Sequence, residues 1–225
     1  MNSSIVGPSK NAPYHSSEHL AVMNYSPLGV GSAKLNTAHY NPEVGGEFDL
    51  KIGGGFIEPF AFGGASPSFA PVRCETNIIC MKVNAPNIPF TIADASGTSS
   101  SAFVREFTSH GVDGHSLKAL SPKENYWTIG STPIKSEQKF IFGDGGNLEN
   151  LGAITLMQRK VKNLVIFVNT SSKLKENFDT LGVKLPGPSD VSSDILSLFG
   201  IKFPASKDMN RNQVFDIVDI RDLMS

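Results

Sequence analysis

The chain has few cysteines, almost no net charge and no long apolar run, and each shortage excludes a class of protein. Two cysteines in 225 residues cannot form the disulfide framework of a small secreted domain. If the stretch from Cys74 to Cys80 is a strand, the two residues are about 20 Å apart, so we expect both to be reduced. A net charge of −1 provides no general field that would attract nucleic acid or an anionic membrane, and no nucleic-acid partner is expected. A local basic patch is possible, but a cluster such as Arg159–Lys162 is more often a solvated helix end.

Targeting and metal-binding patterns are also missing. The segment Met1–Pro8 has no basic region followed by an apolar one, so no signal peptide is predicted. No run approaches the ~18 apolar residues that a membrane-spanning helix needs. The five histidines show no metal-ligand spacing, and we expect neither a metal nor a cofactor. A location in the cytoplasm or at the periphery of a membrane is therefore predicted.

The length of the chain fits a single domain over residues 1–225, or the carboxyl-terminal portion of one. Residues 1–70 are rich in glycine, proline, serine and asparagine, which predicts loops joining short strands, and they resemble the middle of a domain more than its start. Residues 77–225 have the stronger helix and strand signals. Helices are predicted for Ser99–His110 and Ser192–Phe199.

The best-defined unit spans residues 139–169. A strand at Lys139–Phe142 and a turn at Gly143–Gly146 are followed by apolar residues at helical spacing from Leu148 to Met157. The continuous apolar run Leu164–Val168 is typical of a parallel strand covered on both faces. Strand, helix and strand in about 30 residues predict a βαβ crossover. We therefore expect the α/β class, with a largely parallel sheet, flanking helices and long irregular loops.

Asp144 is the leading candidate for a functional residue. Glycines flank it on both sides, and it stands where the predicted strand meets the predicted helix, at the sheet edge that binds ligands in α/β proteins. A carboxylate in this position can accept a proton from a nucleophile. The amides of Gly145 and Gly146 would begin the helix and could hold an oxyanion or another anion. The alternative is an ordinary turn in which Asp144 caps the helix.

A resemblance to a known family rests mainly on this turn. The run Phe142–Gly152, followed by a helix and by Lys162–Thr170, resembles the carboxyl-terminal catalytic half of the patatin-like and cytosolic phospholipase A2-like acyl hydrolases. The resemblance implies a phospholipase or lysophospholipase activity with a Ser–Asp dyad, in which Asp144 is the base. It also implies a lipid or other acyl-ester substrate and contact with a membrane surface.

The serine of the dyad is harder to place. The family carries it in Gly-x-Ser-x-Gly, and the nearest string here is Gly97–Ser101, with serine in place of the last glycine. Either Ser99 is a degenerate nucleophile, or the nucleophile belongs to an amino-terminal partner segment outside this chain. We favour the second interpretation, because the loop-rich start resembles the middle of a domain.

Two further hypotheses do not need catalysis by this chain alone. The protein could be a non-catalytic subunit or pseudoenzyme with the same scaffold, working through a partner chain. It could also be an anion-binding module that uses the Gly143–Gly146 turn. Reaction of the chain with a serine-directed probe distinguishes an active enzyme from either alternative.

Overall fold

The structure of the protein is a computed structural model, which describes part of the chain. The described residues are 1–9, 21–40, 48–67, 72–73, 79–80, 82–101, 121–130, 137–147, 150–176, 185–199, 201, 215–216 and 219–220.

Ten strands, three α-helices and two short 3-10 turns lie within these residues. The strands are β1 (Asn2–Pro8), β2 (Ala21–Ser26), β3 (Gly29–Ser32), β4 (Asn36–Tyr40), β5 (Phe48–Ile52), β6 (Gly55–Ile57), β7 (Val72–Arg73), β8 (Ile79–Cys80), β9 (Lys123–Tyr126) and β10 (Gln138–Asp144). The helices are α1 (Ile92–Ser99), α2 (Ala153–Gln158) and α3 (Ser193–Leu198), and the 3-10 turns are Pro59–Ala61 and Gly145–Asn147.

The main sheet has six strands in the order β6-β3-β2-β1-β10-β9. Every neighbouring pair in it is antiparallel. β4 and β5 form a separate antiparallel pair, and so do β7 and β8. The region 1–70, predicted to be loop-rich, thus supplies four of the six strands of the main sheet.

The predicted fold class, a largely parallel α/β sheet, is wrong. The strand that was expected to start a βαβ crossover, β10, runs antiparallel to both of its neighbours, β1 and β9. The expected return strand Leu164–Val168 joins no sheet among the described residues. An apolar run shows that a segment can pair, but it does not say with which strand or in which direction, because those depend on distant residues.

The helix predictions had mixed outcomes. The helix Ser192–Phe199 is confirmed by α3, whereas the helix after the Asp144 turn is reduced to α2, Ala153–Gln158. In place of a helix starting at Ser99, α1 ends there, and residues 102–110 lie outside the described part of the chain. α1 begins earlier because Thr91 and Asp94 form a capping box, which satisfies the first amides of the helix.

The alternation of side chains along the strands gives the main sheet two apolar faces. On the first face, Met23 and Tyr25 of β2 pack with Phe142 of β10 and with Ala95 of α1. On the second face, Val22 packs with residues of α2 and α3. The first-face core consists of Ile5, Ala21, Met23, Tyr25, Val30, Leu50, Ile52, Ile57, Ala61, Phe62, Ala95, Tyr126, Trp127, Phe140 and Phe142.

Close approach of strands explains one of the many glycines. A Cβ atom on Gly31 of β3 would lie 2.2 Å from the carbonyl oxygen of Gly55 and 2.8 Å from Cα of Phe56, both in β6. Real Cβ atoms do not approach backbone atoms so closely, so β3 and β6 can pair at this point only if residue 31 is glycine.

Candidate functional site

Asp144 is the last residue of β10, and its place in the strand determines on which face of the sheet its carboxylate lies. Phe140, Phe142 and Asp144 alternate along the strand, so all three belong to the first face of the sheet. The half-buried carboxylate accepts a hydrogen bond from the backbone N–H of Gly146 through Oδ1. This bond fixes the side chain over the 3-10 turn that follows the strand.

A side chain at either of the two glycines after Asp144 would displace a neighbouring polar side chain. A Cβ on Gly146 would lie 2.9 Å from Oδ1 of Asp144 and 2.4 Å from Oδ1 of Asn150. A Cβ on Gly145 would lie 2.8 Å from the side chain of Asn2. The amide of Gly146 therefore already serves the Asp144 carboxylate, whose negative charge opposes binding of a second anion at the same turn.

A buried hydroxyl pair lies beside Asp144. Ser3 of β1 is directly opposite Asp144 in the β1–β10 register, and residues opposite each other in an antiparallel pair share a face. The Ser3 hydroxyl donates a hydrogen bond of 2.9 Å to the hydroxyl of Tyr25. Ser3 is 1% exposed and Tyr25 is 4% exposed, so water does not compete for this bond. Burial is also the main cause that raises the pKa of the Tyr25 hydroxyl above its usual range.

Helix α1 adds a third hydroxyl group beside this pair. The Thr98 side chain is close enough to the Tyr25 hydroxyl to lower its pKa, although burial outweighs this effect, and Thr98 Oγ1 donates to the carbonyl oxygen of Asp94 at 2.7 Å. The buried hydroxyl groups of Ser3, Tyr25 and Thr98 therefore come from three different elements, β1, β2 and α1.

Ser99 is the last residue of α1, next to Thr98. Helix α1 packs against both β1 and β10, the strand that ends at Asp144. Ser99 occupies the last turn of a helix rather than a sharp strand-to-helix elbow. A Cβ on Gly97 would meet nothing within 4 Å, so no tight turn requires that glycine.

Two carboxylates near this region were missed by the sequence analysis. Glu124 of β9 is opposite Phe140 and therefore also belongs to the first face. Burial raises the pKa of the half-buried Glu124, and the negative charge of Asp94 raises it further, while Lys139 lowers it. A hydrogen bond from the Thr91 side chain lowers the pKa of Asp94. The capping-box spacing of Thr91 and Asp94 was visible in the sequence, but nothing in it links either residue to Glu124.

The described residues contain no group of three or more histidine, cysteine, aspartate or glutamate side chains that could hold a metal ion. No helix among them is both long enough and apolar enough to cross a bilayer.

Comparison with known proteins adds no relative. No protein-family model, no curated protein and no solved structure matches this chain. The candidate site is the Asp144 carboxylate with the buried Ser3–Tyr25 hydroxyl pair beside it.

Proposed function

We propose that the protein is a hydrolase of lipid acyl esters, with Asp144 as the base and Ser99 as the nucleophile that this chain can supply. The observation that supports the proposal is the packing of α1 on β1 and β10. It brings Thr98, next to Ser99, to the Tyr25 hydroxyl, which also accepts the hydrogen bond from Ser3 opposite Asp144.

In the proposed reaction the serine hydroxyl attacks the ester carbonyl and gives its proton to the Asp144 carboxylate. The alcohol leaves with a proton, and water then hydrolyses the acyl-enzyme. Proton transfer needs the serine oxygen within about 2.6–3.2 Å of the carboxylate when substrate is bound. The hydrogen bond from Gly146 N–H supports this role because it holds the carboxylate in one orientation before the substrate arrives.

The proposal is tested with a fluorophosphonate probe, which reacts with activated serines, and with a short-chain ester substrate. We expect Ser99→Ala to abolish both labelling and hydrolysis. The matched control is Ser100→Ala, since Ser100 is the next residue and its hydroxyl donates only to the carbonyl of Ser96. Asp144→Asn should lower hydrolysis by about 10²–10⁴-fold, the usual contribution of a general base.

Two results would refute this assignment. Labelling that persists in Ser99→Ala would show that another serine reacts, and full activity in Asp144→Asn would show that the carboxylate is not the base. Circular dichroism of each variant, unchanged from wild type, shows that a loss of activity is not a loss of fold.

A second candidate is the non-catalytic subunit, and the position of Ser99 favours it. Ser99 ends a helix and lacks the sharp turn that exposes a nucleophile in serine hydrolases. If the wild-type protein neither reacts with the probe nor hydrolyses ester, the non-catalytic role replaces the proposed one. The anion-binding module is less well supported, because the Gly146 amide is bonded to Asp144.

A further inference from the structure

The segment 163–169 is an apolar run that leaves two large side chains exposed, Val165 and Phe167. It follows α2 and forms no strand pairing within the described ranges. Its side chains alternate in exposure: Val165 is 79% and Phe167 is 92% exposed, while Leu164, Ile166 and Val168 are partly covered. One row of the segment therefore rests on the protein, and the other presents an aliphatic and an aromatic side chain to the outside.

Exposed lysines flank this segment in the sequence. The sequence has no aspartate or glutamate between Glu149 and Glu176. The lysines Lys160, Lys162 and Lys173 are exposed on its two flanks. Two nearby cations are engaged elsewhere and are not counted: the Arg159 guanidinium lies 4.3 Å from the ring centre of Phe56, and Lys175 pairs with Asp190 at 3.2 Å.

We infer that the segment 160–173 attaches the protein to the surface of an anionic lipid bilayer. The side chains of Val165 and Phe167 enter the boundary between head groups and acyl chains, where aromatic rings are favoured. Lys160, Lys162 and Lys173 meet the anionic head groups from the flanks. The backbone of the segment stays at the level of the head groups, where water satisfies its N–H and C=O groups.

Charge decides between a bilayer and a second copy of the chain. An antiparallel pairing of two such segments would bring the lysines of both copies to one interface, and lysines on an exposed strand are a common device against self-association. An anionic surface instead neutralises the same lysines. The inference does not depend on the proposed hydrolase activity, because the segment contains none of the residues assigned to catalysis.

The test is co-sedimentation of the full chain with vesicles, at physiological and at raised salt. We expect binding to phosphatidylcholine vesicles containing about 30% phosphatidylserine and little binding to phosphatidylcholine alone, because the lysines need anionic lipid. Replacing Lys160, Lys162 and Lys173 together by glutamine should weaken binding about a hundredfold. Raised salt should also weaken the binding of wild type.

The apolar contribution is tested with Phe167→Ser, which should lower the partition coefficient about tenfold. The matched control is Ile88→Ser, since Ile88 is 86% exposed and is close in the chain to Phe90, which packs on the first face, whereas α2 packs on the second face. Ile88→Ser should bind as wild type does.

Three outcomes would overturn the inference. Equal binding to neutral and anionic vesicles would show that the lysines do not determine attachment. If Phe167→Ser bound as tightly as wild type, the apolar segment would not contribute to binding. A dimer that forms in sedimentation velocity without lipid, and that Phe167→Ser abolishes, would identify a second copy as the occupant. Circular dichroism is expected to be unchanged in all variants, because the substituted side chains are exposed.

Discussion

Replacing Tyr25 with phenylalanine removes one oxygen atom from the centre of the proposed site and leaves the surrounding packing in place. The Tyr25 ring is stacked on Phe90, with centroids 5.3 Å apart, and meets Phe62 edge to face at 6.0 Å. Phenylalanine keeps both contacts. What it removes is the hydroxyl group that accepts the Ser3 hydrogen bond.

The expected magnitude follows from burial. Ser3 is 1% exposed, so its hydroxyl loses the Tyr25 acceptor in a place that water does not reach. A buried polar group that loses its partner costs about 1–3 kcal/mol, and we expect Tyr25→Phe to lower the free energy of unfolding by about 2 kcal/mol. Ser3→Ala removes the donor instead. In a double-mutant cycle the two changes should therefore be non-additive by about 1 kcal/mol.

Urea unfolding followed by tryptophan fluorescence measures this effect. Trp127 is the single tryptophan of the chain and is buried in the same core as Tyr25, so its emission reports on that core. A neutral surface substitution changes the free energy of unfolding by roughly 0.5 kcal/mol or less. A change no larger than this in Tyr25→Phe would refute the reasoning. So would a cycle in which the two substitutions are additive.

The pH dependence of stability provides a second test with the Tyr25→Phe variant. Because burial raises the pKa of Tyr25, the folded state favours the protonated phenol. The resulting stabilisation is fully present below the unfolded pKa of about 10 and is lost as the pH rises towards the folded pKa. Tyr25→Phe should therefore lose less stability than wild type above that pH. Tyr126, whose pKa burial raises to about 12, is retained in both proteins and contributes equally.

Two further predictions concern the sheet and its charges. Glu124→Gln should stabilise the protein at pH 7 and have little effect at about pH 3. The pKa of the Glu124 carboxyl is raised in the folded protein, so its contribution to stability is present below the unfolded pKa of about 4.3 and is lost as the pH rises. A variant that is less stable than wild type in urea unfolding at pH 7 would contradict this. Gly31→Ala should lower the free energy of unfolding by about 3 kcal/mol, because the added Cβ collides with β6. Its control, Gly97→Ala, adds a Cβ to open space in α1 and should raise stability by about 0.5–1 kcal/mol, and equal effects of the two substitutions in thermal unfolding would contradict the contacts described.

The buried hydroxyl groups of Ser3, Tyr25 and Thr98 lie close together on β1, β2 and α1. Ser3 is opposite Asp144, and Thr98 precedes Ser99 in α1. Hydrogen bonds between buried hydroxyl groups, such as the one from Ser3 to Tyr25, help to hold neighbouring elements in one arrangement. Loss of ester hydrolysis in Tyr25→Phe beyond the loss of folded protein would support a positioning role for these hydroxyl groups.

Local sequence was sufficient for several elements and for the turn at Asp144. The strand at Lys139–Phe142 and the helix at Ser192–Phe199 are present in the structure, extended or shortened by one or two residues. The turn after Asp144 is present as the 3-10 turn Gly145–Asn147. Such features depend on residues a few positions apart, whose steric demands are visible in the chain itself.

Tertiary structure alone decided strand direction, strand partners and the composition of the site. β10 pairs with β1, which is more than 130 positions earlier in the chain, and that pairing makes the sheet antiparallel. Leu164–Val168 has the composition of a buried strand, yet it joins no sheet among the described residues. Pairing over such distances depends on the packing of the whole domain, which no local pattern contains. For the same reason, the sequence singled out Asp144 but gave no sign that Ser3, Tyr25 and Thr98 would meet beside it.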